Sequence, residues 1–170
     1  MNLNDDQIAL LKWITAGLSI TGVRNLDGDA GYLLNNMIAK YTLAASEYRI
    51  SERALAKFKA LGTDLSEVHK RSKFYGKNSP FMYEHAIPAT IVRDQLLRVK
   101  PTQQSFLRVL RKAGPVVVVL REEDKLLRKH RLNQDMPEGW EWGGNPLARY
   151  RRAGINVTTR TLKVDGAIQR

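Results

Sequence analysis

Five consecutive branched apolar residues, Val116 to Leu120, constrain the fold more than any other stretch of this sequence. A β-branched side chain loses freedom in a helix and packs well on the pleated surface of a strand. The run is too short for a helix of ordinary length, and no polar residue interrupts it to mark a solvent-facing side. It therefore predicts a strand that is buried on both faces.

Helical patterns lie on both sides of this predicted strand, because apolar residues recur every three or four positions. Ser51 is a suitable N-cap and Gly62 a suitable C′ residue for one of these helices, and the acidic residues at 122–124 suit the first turn of another. A further short helix is predicted to begin at Thr63. Partial alternation over 155–164 predicts a strand pair or a single edge strand. The predicted helices cover 5–18, 32–48, 51–62, 89–98, 102–112 and 121–131.

The composition is that of a globular protein, with 43% hydrophobic and 26% charged residues in a chain of 170. This length supports one sizeable core and is short for two ordinary domains. The chain has no cysteine, so disulfides and thiolate zinc sites are excluded, and any metal must be held by Asp, Glu, His or Asn. No apolar run reaches 18 residues and the N-terminus does not resemble a signal peptide, so we expect a cytoplasmic protein that does not enter a membrane.

The charge is strongly positive, with a formal value of +11 and an isoelectric point near 10.1. The excess is uneven, because residues 81–170 contain 17 Lys and Arg against nine Asp and Glu, a net charge of +8. A field of this sign favours an anionic partner, of which nucleic acid is the commonest. The alternative is that the positive charge only keeps the protein soluble.

The stretch Tyr83 to Pro88 places an acid, an imidazole and a proline together, in the order Tyr-Glu-His-Ala-Ile-Pro. A carboxylate next to a histidine can hold a divalent ion with one residue and accept a proton with the other. The proline ends the segment, because it cannot donate to a ladder. The alternative interpretation is that Glu84 and His85 form a surface pair at the start of a loop.

The pattern of an acid, a histidine, two residues and a proline resembles the first strand of the ββα-metal core of HNH endonucleases. The resemblance covers at most about a third of the chain. It implies that His85 is the general base and that Glu84 is a ligand of a divalent ion, Mg²⁺ first, with Mn²⁺ or Zn²⁺ as alternatives. It also implies that Val116–Leu120 is the second strand, with residues 89–115 inserted between the two strands.

The resemblance requires a further metal ligand from the helix that follows the second strand. At about 100° per residue, one side of that helix carries an apolar stripe and His130. His130 is therefore the first choice for this ligand, and Asn133 at the helix exit is the substitute. The Asn or His that usually precedes the last ligand in the family is not evident here. A half-buried histidine that bonds a backbone carbonyl is the alternative for His130. The residues on this stripe are Glu123, Leu126, Leu127 and His130.

Basic residues surround the predicted core and suit contacts with the phosphates of a DNA duplex. Trp140, Trp142 and Tyr150 lie between basic stretches and could stack on bases, although such residues more often close a core. The predicted nucleic-acid-binding residues are Arg121, Arg128, Lys129, Arg131, Arg149, Arg151 and Arg152.

Together these patterns predict an α+β protein that is one compact unit. Residues 1–80 form a helical N-terminal region, and residues 81–170 form a ββα-metal-like core with a basic C-terminal tail. The predicted function is a metal-dependent endonuclease acting on duplex DNA. The alternatives are a non-catalytic nucleic-acid-binding regulator or small inhibitor, and a protein that binds the acidic surface of another protein. The sequence leaves open whether the chain forms a homodimer.

Overall fold

A computed structural model describes residues 3–20, 29–70 and 78–165 as a mixed α+β fold. The predicted strand and most of the predicted helices are confirmed. In chain order the elements are α1 (Asp5–Ser19), α2 (Asp29–Leu43), β1 (Glu47–Ser51), α3 (Glu52–Ala60), β2 (Phe81–His85), α4 (Ala89–Arg98), α5 (Gln103–Lys112), β3 (Val116–Leu120), α6 (Arg121–Lys129), α7 (Ala148–Arg152) and β4 (Val157–Lys163).

The four strands form one sheet in the order β2-β3-β1-β4. β3 runs antiparallel to β2 and parallel to β1, and β4 runs antiparallel to β1 at the edge. Residues Val116 to Val119 are at most 1% exposed, which confirms the prediction of a strand buried on both faces. Residues Val157–Lys163 form a single edge strand, one of the two alternatives that the alternation over 155–164 left open.

Strand β1 was not predicted, because the helix expected over 32–48 overlaps its first two residues and Ser51 was assigned only as an N-cap. Helix α2 instead ends at Leu43. In β1 the side chains alternate between the core and the surface, because Tyr48 and Ile50 are fully buried while Arg49 between them is partly exposed. β1 then lies inside the sheet between β3 and β4.

The short helix predicted from Thr63 is also absent, since the Asp64 carboxylate accepts a hydrogen bond from the Ser66 N–H (2.8 Å) and forms a turn.

Both faces of the sheet are covered, and a separate cluster of helices packs beside it. α3 packs on one face around Phe58, which stacks on Phe81 with ring centroids 4.2 Å apart. α6 and α7 cover the other face through Leu127 and Tyr150. The third core joins α1 and α2 to α4 and α5. Among the helices of the described residues, none has both the length and the apolar character needed to cross a membrane.

The parallel strands β1 and β3 both lead directly into helices, and a buried hydrogen bond joins the two starts. Ser51 caps α3 by accepting a hydrogen bond from the Ala54 N–H (3.1 Å), and its hydroxyl donates to the Glu123 carboxylate (2.6 Å). Glu123 also accepts the N–H of Leu120 (2.8 Å) at the start of α6. The pair therefore satisfies orphan donors at two helix N-termini at once.

Gly114 lies where the helical cluster meets the sheet, between α5 and β3. Its φ is +76°, and a Cβ at this position would lie 2.7 Å from Cβ of Pro146 and 2.9 Å from Cβ of Ala86. Both the left-handed backbone and the close approach of two other segments require glycine. This contact holds the chain entering β3 against the segment that leaves β2.

Candidate functional site

Glu84 and His85 point to opposite faces of the sheet, because successive residues of a strand alternate. Glu84 is opposite Val117, whose side chain belongs to the core under α6 and α7. His85 is opposite Val116, whose side chain belongs to the core under α3. The two side chains therefore do not share one cleft.

Glu84 is held by the buried guanidinium of Arg149, which is 1% exposed. Nη2 of Arg149 lies 3.0 Å from the Glu84 carboxylate and also donates to the carbonyl of His85. Nη1 donates to the carbonyl of Leu132 at 2.7 Å. Arg149 thus joins β2, α7 and the segment after α6 through one side chain.

A second acid, Asp124 of α6, is also buried and lies near Glu84. Burial raises the pKa of Glu84, the guanidinium of Arg149 opposes the rise, and Asp124 adds to it. Asp124 also pairs with Arg128 at 3.0 Å. The hydroxyl of Tyr150 lies 3.4 Å from Nη2 of Arg149, and burial raises the pKa of this phenol, which therefore stays protonated.

His85 is held from the other face of the sheet. Its Nδ1 is hydrogen-bonded to the hydroxyl of Thr42 on α2 at 2.8 Å. Burial, together with the nearby guanidinium of Arg149, lowers the pKa of His85 to about 4. A general base is most effective when its pKa is near the operating pH, so a neutral imidazole of such low basicity is a weak base.

The two predicted helix ligands lie away from the interior. The residues of α6 that are buried are Glu123, Asp124 and Leu127, so the helix turns Asp124 inward and leaves His130 exposed at its C-terminal end. Asn133 is exposed, and its backbone carbonyl is an acceptor for Arg149 at 3.4 Å. Over residues 3–20, 29–70 and 78–165, no group of three or more His, Asp or Glu side chains could hold a metal ion.

β2, β3 and α6 occupy the chain positions of the two strands and the helix that the resemblance implies. β2 lies antiparallel to β3, and α6 contacts both strands with Leu127 inward. The segment between the strands, predicted as an insertion, contains α4 and α5 and packs against α1 and α2. The order strand, insertion, strand, helix is thus present, without the predicted set of metal ligands around it.

The predicted nucleic-acid-binding residues divide into buried and exposed ones. Arg149 is buried and structural. Arg121 is partly buried and donates to the carbonyl of Ser79, and Arg128 pairs with Asp124. The exposed side chains are those of Arg128, Lys129, Arg131, Arg151 and Arg152. We call five exposed cations at the C-terminal ends of α6 and α7, namely Arg128, Lys129, Arg131, Arg151 and Arg152, the α6–α7 basic region.

The three aromatic residues predicted to contact bases have different surroundings. Tyr150 is fully buried in the core under α6 and α7. Trp140 donates its indole N–H to the carbonyl of Asn145 (3.0 Å) and so fixes its own loop. Trp142 packs edge-on against Trp140, with ring centroids 6.3 Å apart, and lines a groove beside α5. Only Trp142 therefore keeps a place where a ligand could reach its ring.

Sequence reasoning missed Asp124 and Thr42. The spacing of Asp124 and Arg128, four residues apart on one helix, was a visible signal for their ion pair. Thr42 had none, because it reaches His85 only through the packing of α2 on the sheet.

No protein-family model matches this chain, and searches of curated proteins and of solved structures find nothing similar to it. The resemblance to HNH endonucleases therefore stays a prediction from five residues of the sequence.

Proposed function

We propose that this protein binds nucleic acid through its exposed cations, with the α6–α7 basic region as the contact to a duplex. α7 is joined to the segment just after the last turn of α6, where Nη1 of Arg149 donates to the carbonyl of Leu132. Basic residues from both helices are exposed on either side of this junction. Lysine and arginine on adjoining helix ends are suited to the phosphates of one duplex backbone.

The observation that carries the proposal is the backbone of Arg131. Three helices, α3, α6 and α7, end in the same way, with the C″ N–H bonded to the C3 carbonyl and the C′ N–H to the C2 carbonyl. The C′ residue is Gly62 in α3 and Gly154 in α7, with φ of +67° and +73°. In α6 it is Arg131, with φ of +57°, and it is the one non-glycine residue with positive φ in the described parts of the chain.

Arginine at this position has an energetic cost, since a left-handed conformation disfavours a side chain by about 1–2 kcal/mol relative to glycine. Arg128 and Lys129 are explained by the negative end of the helix dipole, which cations in the last turn complement. Arg131 lies beyond the helix in a conformation that favours glycine. A cation retained there at the expense of stability supports a role in binding.

The test is fluorescence anisotropy with a labelled DNA duplex over a series of salt concentrations. We expect log affinity to fall with log salt, with each lost phosphate contact reducing the slope by about 0.9. Arg151→Gln with Arg152→Gln should weaken binding to unrelated duplex sequences about equally. Arg131→Gly should weaken binding while raising the free energy of unfolding by about 1 kcal/mol.

The matched control removes two exposed cations elsewhere, Lys57→Gln with Lys59→Gln on α3, and should leave duplex affinity within about twofold. The proposal is wrong if wild-type affinity does not respond to salt or if no duplex binds. It is also wrong if the control pair weakens binding as much as Arg151→Gln with Arg152→Gln, because net charge alone would then explain the effect.

A metal-dependent endonuclease is the second candidate, and the antiparallel β2–β3 pair with α6 across it is the observation in its favour. The contacts of Glu84 with Arg149 and of His85 with Thr42 count against it. Its test is a supercoiled plasmid incubated with Mg²⁺ or Mn²⁺ beside an EDTA control. Metal-dependent cleavage that His85→Ala reduces by about 10²–10⁴ would establish the enzyme, and an uncut plasmid would exclude it.

A further inference from the structure

A groove of about 450 Å³ lies beside α5 and is lined by basic side chains and one indole. Its volume falls in the range of ligand sites in proteins, roughly 300–1,000 Å³. No acidic residue lines it, and Glu141, which precedes Trp142, is exposed outside the lining. The lining residues are Gln95, Val99, Lys100, Ser105, Arg108, Val109, Lys112 and Trp142.

The segment that builds this groove is strongly basic. Residues 91–112 contain six Lys and Arg against one acid, a net charge of +5. That acid, Asp94, is paired with Arg93 at 3.2 Å. The cations that line the groove are therefore not neutralised by the carboxylates of their own helices.

The groove cations are placed by local contacts. Nη2 of Arg108 donates to the hydroxyl of Ser105 at 3.3 Å, one helical turn earlier on α5. Nζ of Lys112 would lie 3.8 Å from a Cβ added at Gly143, so this ammonium group is beside the loop that carries Trp142. Cation and indole thus line the same groove.

We infer that this groove binds single-stranded nucleic acid, with Lys100, Arg108 and Lys112 on the phosphates and a base stacked on Trp142. The indole decides between this ligand and an acidic peptide, because every base has a flat face that stacks on an aromatic ring, whereas a carboxylate gains nothing from one. Gln95 and Ser105 supply polar groups that can bond the sugar or the base edge. This inference rests on the proposed function only for the class of ligand, and the site is separate from the α6–α7 basic region.

The experiment measures the anisotropy of a labelled twelve-residue oligothymidylate, which forms no duplex, together with quenching of the protein's tryptophan fluorescence. Arg108→Gln with Lys112→Gln should weaken binding and lower the salt slope by about 1.4, or about 0.7 for each contact on a single strand. Loss of one stacked base typically weakens binding about 5- to 150-fold, so we expect Trp142→Leu to fall in this range and Trp142→Phe near its lower end. The quenching should be lost in both Trp142 variants.

The matched control is Arg98→Gln with Arg111→Gln, which removes two exposed cations from the same two helices outside the groove lining. It should leave oligothymidylate binding within about twofold. Circular dichroism confirms that each variant is folded, and Trp142→Phe keeps a ring against the core if Trp142→Leu does not fold.

The outcomes separate the two proposals. If duplex binding depends on Arg151 and Arg152 while the groove variants bind oligothymidylate normally, the groove inference is wrong and the proposed function stands. If the groove variants alone lose oligothymidylate and duplex is never bound, the groove stands and the duplex contact fails. Equal quenching by a deca-glutamate peptide would overturn the single-strand assignment, and equal affinity for thymidine monophosphate would reduce the site to a nucleotide pocket.

Discussion

Replacing Arg149 with methionine should destabilise the protein by about 3 kcal/mol while leaving the affinity of the folded molecule for duplex DNA unchanged. The substitution keeps a long apolar side chain in a site that is 1% exposed and removes every donor. Breaking a buried ion pair by removing one partner typically costs about 3–5 kcal/mol. We expect the lower end, because the Glu84 side chain keeps 18% of its exposure and can take up a proton.

The thermal midpoint should fall by roughly 6–12 °C for a chain of this size, measured by circular dichroism at pH 7.5. A second variant separates the ion pair from the backbone hydrogen bonds. Glu84→Gln combined with Arg149→Met should be more stable than Arg149→Met alone by about 1–2 kcal/mol, because a neutral amide needs no cation. Since burial raises the pKa of Glu84, this advantage should shrink as the pH is lowered and Glu84 becomes protonated.

Arg152→Gln is the control, because this side chain is exposed and its loss should change stability by less than about 0.5 kcal/mol. A cost below about 1 kcal/mol for Arg149→Met would refute the buried ion pair. A loss of duplex affinity without a loss of stability would also refute it. Arg149 would then contact nucleic acid, as the sequence predicted.

Three further predictions concern the rest of the fold. The pKa of His85 in the folded protein, about 4, lies below its ordinary value of 6.5, so the free energy of unfolding should fall as the pH is lowered from 6.5 to 4. Measured by urea titration against His85→Asn, the loss should reach about 3 kcal/mol. Gly114→Ala should cost about 2–4 kcal/mol, from its φ of +76° and its close neighbours, whereas Gly139→Ala, with the same φ and open space, should cost about 1–2 kcal/mol. Ser51→Ala should cost about 1–3 kcal/mol in thermal unfolding, since it removes a helix cap and a bond to the buried Glu123; an effect under about 0.5 kcal/mol would contradict the shared cap.

Local sequence patterns were sufficient for elements whose signal lies within a few residues. Val116–Leu120 was recognisable as a buried strand. The boundaries of α4 and α5 were predicted to within a residue from their apolar periodicity. The helix that ends at Gly62 was recognisable from its two capping residues. The high positive charge was also evident from composition, and with it the expectation of an anionic partner.

Tertiary packing decided what the candidate residues do. Glu84 and His85 are adjacent in sequence, but the pleat of β2 sends them to opposite faces, so their partners, Arg149 and Thr42, come from α7 and α2. The rotation of α6 about its axis brings Asp124 inward and leaves His130 in solvent. Apolar periodicity alone does not predict this rotation, because Asp124 is buried as part of an ion pair with Arg128. The groove beside α5 exists only because the loop that carries Trp142 returns to that helix.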